Sequence, residues 1–144
     1  MRTASNVVTL PGTLPGTEEL ELARVTPGPY AAVYLRHQGV PMFKTRKLRL
    51  DFQLLAHPGI VLPRWYHVID YRHGRISAWK SSDLVRELSA VLGRRLRADR
   101  VPVGEIAKEV VTVLVKDVIE DSRHRPLHPV NRYSVIEAVT GRGA

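Results

Sequence analysis

Leu48, Leu50, Phe52 and Leu54 occupy every second position of the run KTRKLRLDFQLL (44–55), and Lys47, Arg49, Asp51 and Gln53 stand between them. Successive strand residues point to opposite faces, so a period of two commits this stretch to a sheet with one buried and one wet face. A helix would scatter the same four apolar residues around its circumference. The wet face is also the basic one. Lys44, Arg46, Lys47 and Arg49 put four cations into the first six residues of the run.

Its neighbours extend the sheet. PYAAVYLRH predicts a strand over 30–37, ended by Gln38-Gly39 and Pro41, and RWYHVI predicts another over 64–69 after the turn His57-Pro58-Gly59. Short loops between three strands read as an antiparallel meander. The period then changes. Ser81-Ser82-Asp83 has the chemistry of a helix N-terminus, with Leu84, Val85, Leu88, Val91 and Leu92 forming an apolar stripe and Gly93 placed to close it. Residues 94–108 form a basic connector, in which VPVGEIAKE makes a short extra turn. Strands return at VVTVLVKDVI (110–119) and YSVIEAV (133–139), either side of the Pro- and charge-rich EDSRHRPLHPVN.

The predicted order β-β-β-α-β-β, mostly β with one helix between the third and fourth strands, is that of the OB-fold, a five-stranded Greek-key barrel. We divide the chain into a flexible Pro/Gly-rich N-terminal arm (1–29) and an OB-like domain (30–140). Within the arm, ELELARV (19–25) alternates briefly and is expected to lie against a sheet edge. A chain of 144 residues suffices for one domain with a core of its own.

Composition narrows the function. With no cysteine, disulfide and thiolate chemistry are excluded, and a cytoplasmic setting is expected. The start MRTASNVVTLPG lacks a signal-peptide core and no run reaches transmembrane length, so no membrane association is expected. No phosphate-binding loop, dinucleotide fingerprint, zincin motif or nucleophile elbow occurs. His124 and His128 are four apart but flank Arg125 and Pro126 in a predicted loop, and the aspartates form no recognisable metal set. The expectation is a protein that is not an enzyme and has neither metal nor cofactor. The net charge of +8 points to a polyanionic partner.

Binding a single strand takes cations along a groove and aromatic faces on which bases stack. In an OB barrel the ligand crosses strands two and three, between the first-to-second and fourth-to-fifth loops. On that frame Phe43 and Lys44 fall in the first of these loops, Lys47 and Arg49 on the wet face, and Arg123 and Arg125 in the second loop. The nucleic-acid-binding candidates are therefore Lys44, Arg46, Lys47, Arg49, Arg123 and Arg125 as cations and Phe43 with Trp65 or Tyr66 as stacking rings. Alternation sends Trp65 and Tyr66 to opposite faces, so one of the two serves.

The succession KLRLDFQLL, His-Pro-Gly, PRWYHV, helix, VVTVLVKDV and YSVIEAV resembles OB-like single-stranded DNA-binding-type proteins of phages and other mobile elements, over about residues 30–140. The resemblance implies that strand two and PRWYHV form the binding sheet, and it favours DNA over RNA. The chain departs from familiar bacterial single-strand-binding proteins in ending in GRGA rather than an acidic tail. The expected function is non-catalytic binding of single-stranded nucleic acid with little sequence preference. The alternative is a basic adaptor or assembly protein of a phage or mobile element, working through protein–protein contacts or self-association at an exposed strand edge. A nuclease or nuclease inhibitor on the same scaffold is a third.

Overall fold

The computed structural model describes residues 23–42 and 45–143. The described residues are mostly β, with one antiparallel five-stranded sheet and one α-helix among them. The strands of the sheet are β1 (Gly28–Met42), β2 (Thr45–Leu54), β3 (Val61–Val68), β6 (Val110–Val118) and β7 (Tyr133–Arg142). Between them in the chain come a two-stranded hairpin of β4 (Asp70–Arg72) and β5 (Arg75–Ser77), and the helix α1 (Asp83–Leu92). The strand order is β3-β2-β1-β6-β7. Three hairpin-connected strands with the next strand of the sheet returning beside the first make a Greek key. Four antiparallel steps separate β3 from β7, so these two outer strands run in the same direction. Among the described residues no helix is long and apolar enough to cross a membrane.

The alternation in β2 is realised as expected: Leu48, Leu50, Phe52 and Leu54 are fully buried. They meet Leu62, Tyr66 and Val68 of β3, Val111, Val113 and Val115 of β6, Ile136 and Val139 of β7, and the apolar stripe of α1 in a single core. The helix starts and stops where its chemistry predicts. The Ser82 hydroxyl accepts from the Val85 amide, and Gly93 closes the helix with φ at 69°. A 3-10 turn over Val103–Lys108 fills the connector before β6.

Strand β1 is longer than predicted, at 15 residues, and contains a bulge. Tyr34 pairs with Phe52 and Arg36 with Asp51, which leaves Leu35 as the extra residue. The bulge inverts the strand's phase. Before it, Ala32 and Tyr34 face the core; beyond it, Arg36, Gln38 and Val40 share the wet face with Asp51, Arg49 and Lys47. Gly39 does not end the strand. It lies under the Tyr71 ring, and a Cβ there would stand 2.8 Å from the ring's Cγ and Cδ1. Gly39→Ala should therefore displace the hairpin and cost about 1–3 kcal/mol of stability, read from urea melts; an unchanged midpoint would show that Tyr71 moves aside freely.

The hairpin itself was not predicted. Its strands are three residues each, too short to show a period, and its turn is His73-Gly74 with both residues at positive φ. Of the expected arm, the structure describes residues from Ala23 onward. Residues 23–27 are tied to the sheet: the Ser134 amide donates to the Ala23 carbonyl at 2.9 Å, and the Val25 amide donates to the Ser134 hydroxyl at 2.9 Å. Ser134 is buried, and these bonds satisfy its polar groups. Arg24 adds an ion pair with Asp117 at 2.9 Å. The alternating piece thus does lie against a strand at Ala23–Val25; residues 1–22 are outside the described residues.

No backbone ladder joins β3 to β7 among the described residues. Glu87 of α1 links them instead. Its carboxylate accepts from the Val139 amide of β7 at 2.7 Å, from the Tyr66 hydroxyl of β3 at 2.8 Å, and from Arg64 of β3 at 2.5 and 3.2 Å. Arg64 also donates to the Trp65 carbonyl at 2.9 Å and lies over the Tyr66 ring, 4.4 Å from its centroid. Burial, reinforced by the Glu87 carboxylate, pushes the Tyr66 phenol well above its usual pKa, so it stays a donor.

Candidate nucleic-acid interface

The wet face of β1, β2 and β3 is built from cross-strand rows fixed by register. Gln38, Arg49 and Trp65 form one row; Arg36, Asp51 and Pro63 form the next; Val40, Lys47 and His67 lie on the other side of the first. An open groove of about 980 Å³ runs over the first two rows. It continues past Val61 to Tyr133 and Val135 of β7 and to Lys116 and Val118 of β6. It is lined by apolar Pro63, Val61, Val118 and Val135 and by the rings of Trp65 and Tyr133; Arg36, Arg49, Arg64 and Lys116 bring positive charge, and Asp51 and Glu137 bring negative charge.

Arg49 lies over the Trp65 ring, its guanidinium carbon 5.7 Å from the ring centroid. Arg36 and Arg49 both address Asp51, with Nε–Oδ2 at 3.0 Å and Nε–Oδ1 at 3.2 Å. Asp51 is only 5% exposed, so this carboxylate is buried between two guanidinium groups. It offsets about one of their two charges and fixes both forks, leaving Arg36 63% exposed toward solvent. Lys116 has no carboxylate partner among the described residues, and neither has Lys47, one row beyond the groove wall.

The sequence-predicted residues divide. Lys47, Arg49 and Trp65 share the wet face. Arg46 has the phase of Leu48, away from that face, and pairs with Asp70 at 2.9 Å. Of the two candidate rings, Tyr66 is corrected: it is 2% exposed in the core and bonded to Glu87, so a base cannot stack on it. Phe43 and Lys44 lie outside the described residues.

Arg123 and Arg125 are in the β6–β7 loop, which is rooted at the groove's end through the Val118–Tyr133 pair; neither lines the groove. Asp121 organises that loop, accepting from the Arg125 and Arg123 amides at 3.0 and 2.8 Å and from the Arg125 guanidinium at 2.9 Å. Those bonds, led by the Arg125 amide, hold its carboxyl below the usual range. The charge of Arg125 is therefore largely answered, whereas the Arg123 side chain has no carboxylate partner among the described residues.

Sequence reasoning missed Arg36, Gln38 and Lys116. The bulge hid the first two. Lys116 was legible in principle, because in VVTVLVKDV it alternates with the buried Val111, Val113 and Val115. Among the described residues no three His, Asp or Glu side chains are grouped to hold a metal ion. The chemistry on offer is cationic and stacking contact. No family model, curated protein or solved structure matches this chain.

Proposed function

We propose that this protein binds single-stranded nucleic acid across the wet face of β1–β3, with little sequence preference and without catalysis. The observation that carries the reading is the Gln38–Arg49–Trp65 row: an aromatic face beside a guanidinium, inside a groove that Arg36 and Lys116 also line. Bases stack on Trp65, while Arg36, Lys47, Arg49 and Lys116 neutralise phosphates. The scaffold we assign is an OB-like, partly open five-stranded barrel. Its support is the Greek-key order, the shared direction of β3 and β7, the Glu87 link between them, and the helix between the third and fourth strands of the sheet. The groove's course over β2 and β3 toward the root of the last loop suits that assignment. The preference for DNA and the origin in a mobile element rest on the sequence resemblance, and the cytoplasmic setting on the lack of cysteine.

Fluorescence anisotropy with labelled single- and double-stranded oligonucleotides tests the reading. About four neutralised phosphates give a slope near −3 for log affinity against log salt on a single strand. Trp65→Ala should lower affinity by about 1–3 kcal/mol, roughly 5- to 150-fold, with that slope unchanged, because stacking releases no counterions. Salt-independent binding, or a Trp65→Ala variant as tight as the parent, would sink the groove as the interface.

A further inference from the structure

A second cationic recess lies apart from the groove. It occupies about 630 Å³ between the β4–β5 hairpin and the connector at 97–101, and shares no lining residue with the groove. Arg72, Arg75 and Arg100 line it. Arg72 and Arg75 stand directly opposite each other in the hairpin register, an arrangement in which like charges repel. The turn that enforces it holds His73 at φ 54° and Gly74 at φ 76°.

Arg100 is brought to the same recess by backbone bonds between connector and hairpin. The Val101 amide donates to the Ile76 carbonyl at 2.9 Å, the Ala78 amide to the Ala98 carbonyl at 2.7 Å, and the Ser77 hydroxyl to the Asp99 carbonyl at 3.1 Å. Neutralising groups are scarce. Asp70, the one carboxylate lining the recess, already accepts from Arg46 at 2.9 Å and the Tyr71 amide at 2.9 Å, and pairs with Arg72 at 3.4 Å. Asp99 is held by Arg97 in a two-pronged pair at 3.0 and 2.6 Å. Arg75 and Arg100 form no ion pair with a carboxylate among the described residues.

We propose that this recess is a phosphate-binding site, in which Arg72, Arg75 and Arg100 close around phosphoryl oxygens. Planar guanidinium forks match those oxygens two at a time, and an anion there relieves the repulsion that the hairpin register imposes. The phosphate comes either from a nucleic-acid backbone running beyond the Lys47 row or from a phosphorylated small molecule. Phosphate binding here does not depend on the function assigned to the groove; the backbone source alone rests on that reading.

The test is a nuclear magnetic resonance titration of the full chain with inorganic pyrophosphate at constant ionic strength, following the Gly74 amide and the Arg75 and Arg100 Nε–H signals. Saturable shifts confined to these groups, lost in Arg75→Gln/Arg100→Gln and kept in Arg49→Gln, are expected. Shifts that never saturate, or that spread equally over the exposed arginines, mean a solvated cation cluster only and overturn the proposal. Short and long oligonucleotides then separate the sources. If the backbone is the ligand, Arg75→Gln/Arg100→Gln weakens the long oligonucleotide about tenfold and shrinks its salt slope by about 1.4, leaving the short one unaffected. An unaffected long oligonucleotide alongside saturable pyrophosphate binding identifies a phosphorylated small molecule. Loss of groove binding shows instead in the short oligonucleotide, through Arg49.

Discussion

Glu87→Ala is expected to cost about 3–5 kcal/mol, the penalty for stripping the partner from a buried charge. The truncation leaves the Arg64 guanidinium, 12% exposed, with only Asp83 at 3.6 Å as a carboxylate partner, and leaves the Val139 amide and the Tyr66 hydroxyl without their acceptor. A domain with roughly 5–15 kcal/mol in hand is brought close to unfolding by such a loss. Urea melts read the effect, and two companion variants locate it. Glu87→Gln keeps an oxygen for Val139 and Tyr66 but turns an amide toward Arg64, and should lose less. Removing both charges in Arg64→Met/Glu87→Leu should recover part of the loss, because replacing a buried pair with apolar groups spares the stranded charge. If Glu87→Ala lost under about 1 kcal/mol, the carboxylate could not be what joins β3 to β7.

The other large effect concerns binding. Lys47→Glu/Arg49→Glu should weaken single-strand affinity by about 100-fold or more at low salt, since two phosphate contacts become two repulsions. The reversal also sets a glutamate beside the buried Asp51, so part of any loss could come from the fold. Lys47→Gln/Arg49→Gln separates the two causes. It removes the contacts without the repulsion, should cost about tenfold, and should shrink the salt slope by about 1.4 for two phosphates. A neutral pair that binds like the parent, with its melting profile intact, would take the interface off this face.

The parts of the fold legible in the sequence are those with one buried face. In β2 the alternation from Leu48 to Leu54 fixes both strand and orientation, and in α1 the stripe from Leu84 to Leu92 with Ser82 and Gly93 fixes both ends. What escaped depends on contacts between distant segments. Gly39 reads as a strand end until Tyr71 is seen packed on it. Glu87 reads as a solvated helix residue, yet it lies one helical step from Leu84 and Val91, where Arg64 and the Val139 amide reach it.

The site divides for the same reason. Lys47 and Arg49 were placed by local alternation, and alternation also guaranteed that Trp65 and Tyr66 would part; only burial could say which ring went outward. Arg46 belonged to the same charged run, but its phase takes it to Asp70. Local pattern thus identified the basic strand, while register decided which of its cations share the wet face.

The extra residue at Leu35 has a consequence for recognising kin. Strand β1 carries two hydropathy phases in one continuous run, and the change of phase brings Arg36 to Asp51. A profile that scores it as a single alternating segment places Arg36 and Gln38 among core positions. Distant relatives of this chain should be sought with a one-residue gap allowed at that position, and in a chain lacking the insertion the arginine would follow Tyr34 directly and still face Asp51 on the wet side.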